Sequence, residues 1–274
     1  MSAAASPSSH QRAFGELRIT LRRRGPATVL ADLRQEGCLK ARFPRPVGWV
    51  EAVTLNTSGG VAGGDVLRTA LQVGDGAQAS FAAQAAERFY RALPGDPPAQ
   101  LRTTLGIGPG AQAEFLPQES ILFDRCALDR ALHVEMAEDA WFLGVESLVF
   151  GRALMGETLR QARLRDLIRI RRGGRLILHD AIRLDGEAAR VLARKASAGG
   201  ARAMATLVHV APEAEAKLDR LRVAWDGRQA GASAWNGMVV GRVVAEDGAS
   251  LRAAAVAGLQ ALRADRPLPR VWLC

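Results

Sequence analysis

Lysine is nearly missing from this chain: Lys40, Lys195 and Lys217 are the only three among 37 basic residues, and Tyr90 is the only tyrosine. The net charge of +9 and the sequence pI near 10.7 therefore rest on arginines scattered over 274 residues, with one dense run at 22–24. A nucleic-acid surface concentrates basic side chains and interleaves aromatics, so this balance points instead to a solvated basic surface or one that faces an acidic protein. Cysteine is sparse too. Cys38, Cys126 and Cys274 form no C-x-x-C and no even framework, which excludes a disulfide scaffold and favours a reducing compartment, here the cytoplasm. No apolar run approaches bilayer length, and the opening MSAAASPSSHQR has no apolar segment of signal-peptide type, so residues 1–13 read as a disordered tail. The four histidines, at 10, 133, 179 and 209, stand far apart, and neither H-E-x-x-H nor G-x-S-x-G occurs. Clustered His and Cys at ligand spacing are what hold a transition metal tightly. Any metal this chain touches is expected to be held weakly, by carboxylates and water.

What is abundant is a repeat. Residues 67–85 read LRTALQVGDGAQASFAAQA, 101–119 read LRTTLGIGPGAQAEFLPQE, and 128–146 read LDRALHVEMAEDAWFLGVE. Each copy places apolar residues before a turn and a phenylalanine after it, Phe81, Phe115 and Phe142. One such unit cannot bury its apolar face alone, whereas stacked copies bury a continuous one. With the third copy aligned without a gap, Glu119 and Glu146 take equivalent places on neighbouring rungs. Ahead of the repeats stands S-G-G-V-A-G-G-D at 58–65. It lacks G-x-G-x-x-G spacing and is followed by a strand-like segment, so it is no nucleotide loop. Gly59, Gly60, Gly63 and Gly64 read as a tight structural turn, and Asp65 as its cap or as a functional carboxylate.

Period-two alternation marks further strands at 16–23, 28–33, 49–55 and 164–171, the last turning at Gly173-Gly174 into a return strand over 176–184. Residues 188–202 read as a surface connection. After it the pattern gives a strand at 205–210, a helix at 213–221, a strand at 238–244 and a helix at about 250–263 with Leu251, Ala255, Leu259 and Leu262 on one stripe. The expected fold is mainly β: stacked sheets of repeated strand-turn-strand units, solenoid- or sandwich-like, over 14–187, with a small α/β part carrying two helices over 188–274.

Five motifs, in order, carry a family resemblance: S-G-G-V-A-G-G-D, Q-A-A-E-R-F-Y-R (84–91), P-Q-E-S-I-L-F-D (117–124), E-S-L-V-F-G-R (146–152) with M-G-E (155–157), and the closing L-P-R-V-W (268–272). Together they resemble the urease accessory protein UreD, also called UreH. The resemblance implies a non-enzymatic maturation factor that docks onto apo-urease, binds UreF and through it recruits UreG. It implies transient Ni2+ with no tightly bound cofactor, and neither nucleic acid nor membrane as a partner. It also implies an internal polar tunnel for nickel, whose candidate lining here is Asp65, Glu87, Glu146 and Asp180. A carboxylate-based enzyme of hydrolase type is the alternative, and a basic nucleic-acid binder a more distant one.

Overall fold

The structure, a computed structural model, describes residues 11–45, 48–263 and 266–273; most of the tail expected at the N-terminus, residues 1–10, and Cys274 lie outside the described residues. A hairpin of β1 (Phe14–Arg24) and β2 (Ala27–Gly37) leads through β3 (Leu39–Arg42) and β4 (Val50–Asn56) to the glycine turn. The three repeats follow. The first is β5 (Val66–Val73), β6 (Gln78–Ala83) and the short β7 (Glu87–Phe89); the second is β8 (Ala99–Ile107), β9 (Gln112–Leu116) and the short β10 (Ser120–Leu122); the third is β11 (Ala127–Met136) and β12 (Trp141–Phe150). A hairpin of β13 (Ala162–Arg172) and β14 (Arg175–Gly186) turns at Gly173 and Gly174, both at positive φ. The chain ends with α1 (Ala188–Leu192), β15 (Ala203–Val210), α2 (Leu218–Ala224), β16 (Ala230–Trp235), β17 (Met238–Ala245) and α3 (Gly248–Arg263).

Successive halves of each repeat go to two different sheets. Seven strands run in the order β14-β13-β11-β8-β5-β1-β2, and the main path of the ten-stranded sheet runs β16-β17-β15-β12-β9-β6-β4-β3, with β10 beside β12 and β7 beside β10. Parallel neighbours need a crossover connection, and here each crossover is a strand of the opposite sheet. The turns between them repeat one hydrogen bond, Ala77 N to Gly74 O, Ala111 N to Gly108 O and Ala140 N to Ala137 O.

The first two copies stack as their sequences align: Leu67 lies beside Leu101 and Phe81 beside Phe115, an offset of 34 residues. The third does not. Ala99 lies beside Leu128 and Ala113 beside Phe142, an offset of 29, where the ungapped alignment has 27. A slip of two keeps every side chain on its face while changing its neighbour, so the apolar pattern could not reveal it. Glu119 and Glu146 are accordingly not equivalent: Ser120 pairs with Leu148, Glu119 meets Arg252 of α3, and Glu146 turns between the sheets.

One apolar core fills the space between the sheets, with Ile19, Leu105, Phe81, Phe142 and Leu148 fully buried. A second lies on the outer face of the ten-stranded sheet, where Leu251, Ala255, Leu259 and Leu262 of α3 cover Leu143, Val145 and Leu207. The mainly β expectation holds with three helices in place of two: α1 falls in the stretch read as a connection, and the helix expected at 213–221 is a 3-10 turn (Ala214–Lys217) followed by α2. Strand β16 had no sequence expectation.

Candidate functional site

Strands of the inner core alternate, so their polar residues on the apolar parity point between the sheets. In β12 that parity carries Phe142, Glu146, Leu148 and Phe150, in β11 Leu128, Arg130, Leu132 and Val134, and in β13 Leu164, Asp166, Ile168 and Ile170. Arg130 and Asp166 are direct ladder partners on β11 and β13. Arg130 grips Asp166 with two hydrogen bonds, Nε to Oδ1 at 2.8 Å and Nη2 to Oδ2 at 2.6 Å, while Nη1 donates to Ser120 Oγ at 2.8 Å. The same Nη1 stands 2.8 Å from Glu146 Oε2, yet Oε2 accepts no aligned hydrogen bond. One of the two N–H groups on Nη1 is donated to Ser120 and neither is aligned on Oε2, so the approach is an ion contact.

Burial sets the electrostatics. Loss of solvent pushes the Glu146 carboxyl up to about 7; Arg130 opposes the shift and the Asp166 charge adds to it. For Arg130, burial acts against the charge but is outweighed by Asp166 and Glu146, so its pKa is raised and the guanidinium stays protonated.

A cavity of about 330 Å³ opens onto this cluster. Its polar lining includes Glu87, Gln118, Ser120, Arg130 and Glu146, and exposed Gly59, Gln84 and Arg88 also line it, so it reaches solvent beside the glycine turn. Glu87 accepts from Asn56 Nδ2 at 3.1 Å, and burial raises its pKa. Gly60, at φ +144, lets the turn pass against Tyr90: a Cβ there would sit 2.4 Å from the ring, so no larger residue fits without displacing it. Gly59 and Gly64 are also at positive φ, and Gly63 is not.

Of the four expected lining residues, Glu87 and Glu146 share the cavity. Asp180 lies farther along the same inter-sheet seam: Glu146 pairs with Thr206, Thr206 with Arg242, and Arg242 Nη2 donates to Asp180 Oδ2 at 2.6 Å. The cavity lining includes none of Thr206, Arg242 and Asp180. Asp65 is elsewhere, 4% exposed, its two oxygens taken by the amides of Ala13 (2.8 Å) and Ala62 (2.7 Å), the geometry of a cap on the glycine turn. Sequence reasoning missed Arg130, Asp166 and Glu114. The first two carried a readable signal, a charge on the apolar parity of an otherwise alternating strand. Among the described residues no three His, Cys, Asp or Glu are placed to hold a metal together, no helix is long and apolar enough to cross a membrane, and the Cys126 thiol is pushed up to about 12 by burial.

The family model described as UreD urease accessory protein matches residues 13–273. The chain is 46% identical to the urease accessory protein UreD of Methylobacterium sp. (strain 4-46), with 99% of each chain covered. It is 47% identical to the UreD of Dinoroseobacter shibae over 96% of this chain and 92% of that one. For the UreD of Xanthobacter autotrophicus the identity is 43%, over 96% and 90%.

Proposed function

The chain belongs to the UreD family of urease accessory proteins, and from that premise we propose that it is a non-enzymatic maturation factor that helps deliver nickel to urease through the seam between its sheets. It docks on apo-urease and on UreF, with UreG joining through UreF, and it works in the cytoplasm. The observation that carries the delivery reading is the cavity between the sheets with two carboxylates in its wall, half-buried Glu87 and buried Glu146. Spaced carboxylates and water suit cargo better than a store: imidazole and thiolate hold Ni2+ tightly, whereas oxygen donors keep each stop shallow enough to leave. A chain of net charge +9 repels cations at long range, so the entry of one needs local negative charge. Glu146 and Asp166 with Arg130 supply a net charge of about −1 at the cavity end when both carboxyls are ionised.

The experiment replaces Glu146 by Gln and measures two things separately, the nickel content of urease matured with the variant and the co-purification of the variant with apo-urease and UreF. Delivery through the seam predicts nickel-poor urease from an intact complex. Normal nickel content refutes it.

A further inference from the structure

The cavity ends at a cation that the protein supplies itself. The Arg130 guanidinium lies between Glu146 and Asp166, in contact with both, and a divalent ion cannot sit against the same oxygens while it remains there. Three features make this pairing exchangeable. Arg130 commits its two-point grip to Asp166 alone, leaving Glu146 Oε2, on a residue 7% exposed, without an aligned donor. The oxygens of Glu146, Asp166 and Ser120 are hard donors ranged around one guanidinium, each 2.6–2.8 Å from one of its nitrogens, the kind that water completes into a divalent-cation site. And Arg130 lines the cavity with Glu87, so a displaced guanidinium has both room and negative charge to turn toward.

We infer that Glu146, Asp166 and Ser120 form a latent divalent-cation seat, and that Arg130 is its resident counter-cation, holding the seat shut until the guanidinium swings into the cavity. The seat follows from the geometry of the chain; only the choice of nickel as its occupant rests on the delivery reading. Charge balances in the exchange. With Arg130 in place the two carboxylates carry one compensating charge, and with a divalent ion in its stead they carry two, while Arg130 passes to the field of Glu87. Asp166 stands on one sheet and Ser120 and Glu146 on neighbouring strands of the other, so their side chains turn in to meet the ion while both ladders keep their register.

The test uses the purified full-length chain and nickel(II) alone, in equilibrium dialysis without chelating buffer. Arg130→Gln should gain one site, tighter than wild type by roughly 5- to 150-fold, the range over which two competing occupants of a site commonly couple. Arg130→Lys, whose compact ammonium cannot grip two carboxylates as a guanidinium does, should fall between. In Arg130→Gln combined with Glu146→Gln the gain should vanish. Nickel should also raise the Tm of Arg130→Gln more than that of wild type, and if Arg130→Gln does not fold, Arg130→Lys decides the matter. Folded Arg130 variants that bind nickel no better than wild type, or a gain that survives loss of Glu146, would overturn the seat. A seat gained in Arg130→Gln alongside normal nickel delivery by Glu146→Gln would leave the seat standing and end the delivery reading.

Discussion

Among the described residues two clusters bury a carboxylate against a guanidinium, and they do so with opposite ratios. In the seam one arginine, Arg130, serves two carboxylates, Glu146 and Asp166. On the outer face of the ten-stranded sheet one carboxylate, Glu114, serves two arginines: Arg263 holds both of its oxygens at 2.7 and 2.9 Å, and Arg266 adds a contact at 2.7 Å. Arg266 is stacked 3.6 Å over the Trp49 ring, with Trp141 beside it, and His209 packs on Trp141. Glu114 is wholly buried, and Lys217 bonds the Leu262 carbonyl next to Arg263. The negative excess faces a cavity, while at the end of α3 Arg263 and Glu114 are buried and the second arginine, Arg266, keeps 29% of its side chain exposed. The first arrangement leaves a carboxylate oxygen uncommitted and space beside it. The second consumes every oxygen of Glu114 to fasten a helix end, and Trp272, whose indole donates to the Leu116 carbonyl, fastens the segment that follows.

If that distinction is right, breaking the fastener costs more than breaking the seam. Glu114→Gln leaves the buried Arg263 guanidinium facing an uncharged amide and should lower stability by about 3–5 kcal/mol, as loss of one partner from a buried pair does. Arg130→Gln should cost less, about 1–3 kcal/mol, because the cavity admits water to the carboxylates left behind and Glu146 can take up a proton. Urea unfolding of the two variants side by side gives the ranking. Equal losses would mean that the seam is as dry as the buttress and would remove the contrast.

Much of this layout is legible in the sequence. The apolar alternation and the repeats of 67–85 and 101–119 gave the stacked sheets, because the inside-outside period of a strand is written residue by residue. The register of the third copy was not legible, since a two-residue slip leaves that period intact. Glu87 and Glu146 were reached through the family's motifs and line one cavity; Asp180, reached through the Gly173-Gly174 hairpin, lies outside that cavity, and Asp65 is occupied by backbone amides. Asp166 and Arg130 were missed for a different reason. Each stands out as a charge on the apolar parity of its strand, but their pairing follows only when β11 and β13 are known to be neighbours, a fact of topology. Glu114 shows the limit most plainly: its partners lie some 150 residues downstream, in α3 and just beyond it.

The finest discrimination between the two places comes from pH. Burial holds the Glu146 carboxyl at about 7 against an ordinary 4.5. As pH rises from 4.5 the unfolded chain releases a proton that the folded seam keeps, so stability falls across that window and levels off above pH 7. His209 behaves in the reverse sense. Burial lowers it to about 4 from an ordinary 6.5, with Lys217 and Arg266 reinforcing the shift against its contact to the Phe142 carbonyl. As pH falls below 6.5 the unfolded chain takes a proton that the folded ring refuses, and stability falls toward pH 4. Neither slope can exceed about 1.4 kcal/mol per pH unit, the cost of one proton. Urea unfolding between pH 4.5 and 6.5 should therefore show Glu146→Gln removing a loss that grows with rising pH, and His209→Gln removing one that grows with falling pH. Difference curves of the same sign would show that the two sites do not titrate as their burial dictates, and a flat curve for Glu146→Gln alone would mean that Arg130 keeps that carboxylate ionised throughout.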